Sequence, residues 1–226
     1  MDDPRPKVAR VTALVERHHP RAASVLELGC GTGTILAGLG SFESLAGIDR
    51  SPEMLAVARA KVPHARLLEG DISDFDLGER FDVVICVFDT LNHLPRFELW
   101  EALFACTRAH LRAGGLFIFD INTVMKLHGL AAYPPFFLEA GTVTVAMNVD
   151  PPDDDGLSQW NIWLIERHRD GSLSGLHEPV WELSVELEEI ENGLQTAGFT
   201  VLETLDERGE RPSGESERVH FAARPR

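Results

Sequence analysis

A short apolar run, Ser24-Val25-Leu26-Glu27-Leu28, meets a cluster of glycines, Gly29-Cys30-Gly31-Thr32-Gly33, and a helix-forming stretch opens at Thr34. Glycine lets the backbone turn tightly and lets a ligand approach with no Cβ in the way. In a doubly wound sheet such a turn lies beyond the carboxyl end of a strand, where ligands bind. Two ligand chemistries compete for it. A dinucleotide fingerprint needs Gly-x-Gly-x-x-Gly; Gly29 and Gly31 fit, but the third position is Thr34. The glycines run Gly-x-Gly-x-Gly instead, with an acid, Glu27, two residues before the first. A carboxylate does little for a pyrophosphate and is attractive to a cation, such as a sulfonium that also bears an ammonium.

The elements around this turn alternate. Apolar spacing predicts a helix over 7–18, ended by His19-Pro20, then strand 24–28 and helix 34–39. Strand 44–48 ends at Asp49, and Ser51-Pro52-Glu53 opens a helix with Ser as N-cap and Pro in the first turn. Strands follow at 66–68 and 81–88, a helix at 96–111 and a strand at 116–121. Alternation of this kind predicts an α/β fold, a doubly wound Rossmann-like sheet covered on both faces. After Asn122 the pattern changes. Residues 142–149 are β-branched, Ser158–Arg167 alternates, Asp170-Gly171 is a hairpin signal, and 179–187 reads as the return strand. This predicts an antiparallel β insertion over 123–187 set into a core of 1–122 and 188–226. A helix at 188–198 and strands at 200–205 and 218–222 close the chain.

The 226 residues suit one large domain. Hydrophobic residues make up 44% and charged residues 25%, which excludes a chain disordered end to end. The net charge is −15, and most of the acid excess falls after residue 150. Nucleic acid is therefore an unexpected partner, as is an anionic membrane surface. No apolar run approaches the ~20 residues of a membrane span. Met1-Asp2-Asp3-Pro4-Arg5-Pro6-Lys7 has no apolar stretch behind it, unlike a secretory signal. Three cysteines, Cys30, Cys86 and Cys106, fit neither a disulfide framework nor a zinc site, so no metal is expected and the expected setting is the reducing cytoplasm. His18-His19 point different ways on a helix and make a poor metal site. No Gly-x-Ser-x-Gly elbow and no phosphate-binding loop are present.

The glycine stretch resembles motif I of the class I S-adenosylmethionine-dependent methyltransferases. Three more segments agree in order: Gly47-Ile48-Asp49-Arg50-Ser51, Gly70-Asp71-Ile72, and Phe81-Asp82-Val83-Val84-Ile85-Cys86-Val87-Phe88. The resemblance covers about residues 20–122 and returns in the last strands. It implies a seven-stranded sheet with one antiparallel strand at its end, and S-adenosylmethionine as cofactor. Carried over, Gly29, Cys30, Gly31 and Gly33 pass under the cofactor, and Glu27 orients its amino-acid end. Asp49, with Arg50 beside it, takes the ribose hydroxyls. Met54 packs on the adenine, Gly70, Asp71 and the Ile72 backbone read its edge, and Val87 borders the methionine part.

Asp89 and His93 follow the fourth strand, where such a fold faces both cofactor and substrate. The resemblance implies methyl transfer to an N or O atom of a small metabolite, an in-line displacement in which the protein aligns the nucleophile and excludes water. His93 is the candidate base if the nucleophile arrives protonated, and Asp89 the candidate contact to cofactor or substrate amine. Asn92 and, from the insertion, Tyr133, Trp160, Trp163 and His168 are candidate pocket residues, with His177 and Trp181 near them. The layout, including Phe119-Asp120-Ile121-Asn122-Thr123, is similar to a bacterial small-molecule branch that contains sugar N,N-dimethyltransferases. A homodimer through the insertion or a sheet edge is an open expectation. Two other readings stay open: a cofactor-binding module without catalysis, and an NAD-dependent oxidoreductase, the latter weakened by Thr34 and by the lack of a Tyr-x-x-x-Lys pair.

Overall fold

Five apolar runs too short for helices pair side by side: β1 (Ser24–Leu28), β2 (Ser44–Asp49), β3 (Arg66–Glu69), β4 (Phe81–Cys86) and β5 (Leu111–Asn122). They are parallel to one another. The structure, a computed structural model, describes residues 3–226; Met1 and Asp2, the start of the charged N-terminal run, lie outside the described residues. Two late strands, β10 (Phe199–Asp206) and β11 (Arg218–Pro225), extend the sheet to seven in the order β10-β11-β5-β4-β1-β2-β3. The strand order reverses between β1 and β4, and the glycine turn follows β1 at that switch point.

β11 runs antiparallel to both β5 and β10. The antiparallel strand therefore sits one place in from the edge, not at the end of the sheet. The chain reaches β10 through helix α6 (Leu187–Thr196), a crossover that returns it parallel to β5, and a hairpin then brings β11 back into the gap between them.

Residues alternate across the sheet. Leu26 and Leu28 join Trp100, Phe104, Phe117, Phe119 and Phe221 on one side. Val25, Val83 and Ile85 join Leu36, Leu14 and Leu55 on the other. The first layer is covered by α4 (Phe97–His110) and α6, the second by α1 (Arg5–His18), α2 (Thr34–Gly38) and α3 (Pro52–Lys61). Phe119 and Phe221 stack across strands with centroids 4.7 Å apart, tying β11 to β5.

A second sheet of four antiparallel strands follows β5: β6 (Phe136–Ala140), β7 (Val143–Val149), β8 (Leu157–Arg167) and β9 (Leu173–Leu183). Between it and β5 lies α5 (Val124–Ala132), whose N-cap Thr123 accepts the Lys126 N–H through its hydroxyl. Sequence patterning left 123–141 without an element; Gly129 and Pro134-Pro135 break the periodicity there. It also started β9 six residues late, because Pro179 cannot donate to a ladder. β9 is the sheet edge, where a proline is tolerated. The hairpin at Asp170-Gly171 is present, with Gly171 at φ +85°. No helix among the described residues is long and apolar enough to cross a membrane.

Candidate active site

The glycine turn is built for close approach. Gly29, Gly31 and Gly33 all have positive φ, a region that disfavours any Cβ. A Cβ on Gly29 would stand 2.3 Å from Cγ2 of Thr90, so this glycine lets the segment after β4 press against the turn. A Cβ on Gly31 would meet nothing within 4 Å, so open space lies above it. Asp49 braces the turn: its Oδ2 accepts the Gly31 N–H at 2.7 Å and its Oδ1 the Ser51 N–H at 2.9 Å. Each oxygen keeps a second lone pair for a ligand hydroxyl.

Glu27 is buried, and its Oε2 has no hydrogen-bond partner. Burial pushes its carboxyl well above the usual range; the Leu36 N–H pulls against this and the Asp49 carboxylate adds to it. An orphaned buried acid beside open space suits a ligand with a cationic end. Cys30 does not take part through its side chain. Its thiol is buried, pushed up to about 12 mainly by desolvation, and it fills the space that the missing Gly47 Cβ leaves. Arg50 and Met54 are exposed beyond β2. Gly70 donates to the Asp49 carbonyl at 3.0 Å and its bare Cα accommodates Ile48. Asp71 accepts the Ser73 N–H and hydroxyl through Oδ1, which sets the turn around half-buried Ile72.

Beyond β4, buried Val87 is followed by two residues in the left-handed region, Phe88 at φ 66° and Asp89 at φ 52°. Non-glycine residues are held there only when the surroundings over-determine them. Asp120 on β5 accepts the Asp89 N–H at 2.8 Å. Arg218 on β11 donates to Asp89 Oδ1 at 2.9 Å and pairs with Asp120 Oδ2 at 3.1 Å. Burial raises the Asp89 carboxyl, but Arg218 more than offsets this and holds it below the usual range. Asp120 is more deeply buried, and desolvation wins over Arg218, so its carboxyl stays raised.

A 3-10 turn, Thr90–His93, comes next, with the Thr90 hydroxyl donating to the Val87 carbonyl. His93 Nδ1 lies 3.1 Å from the Trp181 carbonyl on β9. A carbonyl only accepts, so Nδ1 carries the proton and Nε2 of the neutral ring keeps its lone pair. Glu182, next to Trp181, is 3% exposed. One atom each of Asp89, His93 and Glu182 lie within 4.8 Å of one another. Glu182 Oε2 accepts from Asn122 Nδ2 at 2.7 Å, and Lys126 Nζ donates to Asn122 Oδ1 at 2.8 Å.

Not every expected residue joins this cluster. Asn92, expected in the pocket, is fully buried, with its amide committed to backbone groups. Its amide donates to the Asn122 and Leu183 carbonyls and its Oδ1 accepts the Asn122 N–H, a staple between β5 and β9. His168 sits at the β8–β9 hairpin, bonded to Ser174. β8 runs eleven residues from Leu157 outward, roughly 35 Å at about 3.3 Å per residue, so His168 is a tip residue. Trp163 stacks on His177 at 4.9 Å. By strand alternation it faces opposite to Trp160, Val180 and Glu182. Tyr133 is exposed at the end of α5. Of the two tryptophans, Trp160 shares the Glu182 face and Trp163 does not. The reading from sequence missed Arg218, Glu182, Lys126 and the role of Asp120. Their signal was a charged residue inside an apolar strand: Asp120 within Phe117–Ile121 and Arg218 before Val219–Ala223.

A profile of the methyltransferase domain matches residues 25–115. A dTDP-3-amino-3,6-dideoxy-alpha-D-glucopyranose N,N-dimethyltransferase of Streptomyces fradiae is 40% identical over 138 residues, 61% of this chain and 52% of that protein. The putative methyltransferase YqeM of Bacillus subtilis is 28% identical over 94% of this chain and 88% of its own length. The chain spans about half the length of the sugar N,N-dimethyltransferases it matches. Among solved structures, an S-adenosylmethionine-dependent methyltransferase from Clostridium acetobutylicum superposes with a TM-score of 0.90 at 24% identity, over 99% of this chain and 92% of its own. DesVI of Streptomyces venezuelae superposes with a TM-score of 0.80 at 25% identity, over 97% and 90%. The match of the domain profile from β1 into β5 falls on the glycine turn and its bracing acid: residues 25–115 are similar to the methyltransferase domain, and the fold of the whole chain is that of these solved methyltransferase structures.

Proposed function

We propose that this chain moves the methyl group of S-adenosylmethionine to a nitrogen or oxygen atom of a small metabolite. The observation that carries this is His93, a base with an uncommitted Nε2, on a turn that packs through Thr90 directly against the glycine turn. The cofactor supplies a methyl group already activated on a sulfonium; the S–CH3 electron pair stays on sulfur and the acceptor's lone pair forms the new bond.

The chain's own residues do the rest. Glu27 and the open space over Gly31 take the cationic amino-acid end, and Asp49 takes the ribose hydroxyls with its spare lone pairs. Met54 covers the adenine, whose edge meets Asp71 and the Ile72 backbone. Arg218 and Asp120 fix Asp89, which sets the turn that carries His93. His93 takes the proton that the acceptor sheds. The four-stranded sheet, with α5, serves as the substrate cap over 123–187. Nitrogen is the favoured acceptor, since relatives of this chain act on amino sugars and an anionic cluster stabilises an ammonium.

The enzyme works in the reducing cytoplasm, in keeping with three free cysteines. It acts without nucleic acid, in keeping with its charge of −15. A second copy covers the apolar side of the cap, where Phe136, Leu138, Leu164 and Leu176 are exposed. The test is calorimetry with S-adenosylmethionine and S-adenosylhomocysteine, followed by methyl transfer to amines and matched alcohols. Binding of both with turnover of an amine is expected. Absence of binding would sink the cofactor assignment, and binding without turnover on any acceptor would make the chain a non-catalytic module.

A further inference from the structure

Glu182 is a buried carboxylate of the cap whose one side-chain bond among the described residues is to Asn122. It arrives on β9, the last strand of the cap, and is buried where burial penalises charge. It is aimed by a chain of bonds: the Asn92 staple fixes Asn122, and Asn122 holds Oε2 of Glu182. No donor among the described residues reaches Oε1. Asp89 spends Oδ1 on Arg218, and no donor among the described residues reaches Oδ2. His93 spends Nδ1 on Trp181. Two elements, the turn after β4 and β9, therefore bring three side chains together, each with an acceptor atom to spare.

We propose that Asp89, His93 and Glu182 form a three-acceptor seat for the incoming substrate ammonium, with Glu182 as its anchoring carboxylate; transfer of one proton to His93 then frees the lone pair that attacks the methyl group. This rests on the methyl-transfer reading above.

Three observations support it. The first is spacing. An ammonium that donates three bonds of about 2.9 Å holds its acceptors about 4.7 Å apart. A metal ion at about 2.0–2.2 Å draws its ligands to roughly 3–3.5 Å. The three atoms lie within 4.8 Å of one another, a limit wide enough for the ammonium as well as for a metal ion. The second is charge. Asp89, Asp120, Glu182 and Glu217 face Arg218, Lys126 and Lys7, which leaves one unmatched negative charge. A single monocation neutralises it, and a divalent metal would overshoot. The third is Ser158, the register partner of Glu182 on the same face. Ser158 is fully buried and its hydroxyl has no partner, so a polar ligand group beside the nitrogen has a place to bond.

The seat joins two sheets. Asp89 and His93 come from the core, Glu182 from the cap, and the seat exists only while β9 lies against the 3-10 turn. Removing Glu182 should therefore abolish recognition of the nitrogen and spare the cofactor.

The experiment uses the full chain loaded with S-adenosylhomocysteine, as wild type, Glu182→Gln and Glu182→Asp. Each is titrated calorimetrically with cyclohexylamine, with cyclohexanol as the uncharged match, and with magnesium, manganese and zinc ions. All three proteins should bind S-adenosylhomocysteine alike. Wild type should bind the amine about tenfold or more tightly than the alcohol, the preference expected of charged hydrogen bonds. Glu182→Gln should lose that preference and Glu182→Asp should keep part of it. A preference that persists in Glu182→Gln, or is absent from wild type, would overturn the seat. So would tight metal binding by wild type that Glu182→Gln loses, since the cluster would then be a metal site. Failure of all three proteins to bind S-adenosylhomocysteine would instead overturn the methyl-transfer reading, and the seat with it.

Discussion

Asp120 accepts the backbone N–H of Asp89 at 2.8 Å, across the gap between β5 and the end of β4. This bond fixes a residue whose φ of 52° it would otherwise avoid, and Arg218 locks the same pair from β11. Strain at the chemistry is thus held by one buried and two half-buried charges. Removing the cation should be costly. We expect Arg218→Met to destabilise the protein by about 3–5 kcal/mol, the range for breaking a buried ion pair. Scanning calorimetry reads this directly. A loss below ~1 kcal/mol would mean that the carboxylates are held by other groups.

Gly29 and Thr90 form the contact between the cofactor turn and the turn that carries His93. We expect Gly29→Ala to fail twice, through its positive φ and through a Cβ 2.3 Å from Thr90 Cγ2. The left-handed conformation alone costs about 1 kcal/mol. Thr90→Gly in the same chain should recover the steric part and leave the conformational part. Urea unfolding of the single and double variants separates the two. Equal stabilities would refute the contact.

Glu27 is held against its preference. Its folded carboxyl titrates above the ordinary 4.5 of the unfolded chain, chiefly through burial. A group raised on folding contributes stability below the unfolded value and loses it as pH climbs through the folded value. Glu27→Gln should therefore make the ligand-free protein more stable than wild type at neutral pH, with no gain well below pH 4.5. It should also weaken S-adenosylmethionine. Denaturation at two pH values, with a binding titration, tests both. A variant that is less stable and binds normally would remove Glu27 from the site.

His220 lies beside the Arg218 lock on β11. Burial, then Arg10, Arg218 and Lys7, bring its pKa from 6.5 to about 3. Between those values the unfolded chain binds a proton that the folded chain refuses, so stability falls as pH drops from 6.5 toward 3. Asp82 adds to the loss lower down: burial pushes it up, but the Ala23 N–H, Arg112 and Ser24 bring it to about 2, against 3.8 when unfolded. We expect His220→Phe to flatten the upper part of this pH dependence and leave the lower part intact. A slope unchanged between pH 6.5 and 4 would show that other groups set it.

His93→Gln should lower kcat by about a hundredfold or more, the contribution of a positioned base. S-adenosylhomocysteine affinity should stay at the wild-type value, because the ring lies on the acceptor side of Thr90. A kcat that is unchanged on an amine acceptor would confine His93 to its bond with Trp181.

Local chemistry determined much of this protein. Glycines at 29, 31 and 33, an acid at 27 and another at 49 can be read in the chain because each serves a turn or a strand end a few residues away. Apolar runs such as Val83–Cys86 announce strands buried on both faces, and the parallel order follows from the helices between them. The second half of the site has no such local mark. Asp89 and Arg218 are 129 residues apart, and Asn122 and Glu182 are 60 apart. They meet because β11 enters the sheet beside β5 and because β9 docks on the turn after β4, and pairing of distant strands leaves no short-range pattern. Asn92 shows the converse: its place after a strand suggested a ligand, and burial against β9 made it a staple. Side-chain direction decided the cap as well. A period of two sends Trp160 and Trp163 to opposite faces, and only the docked partner says which face meets the substrate.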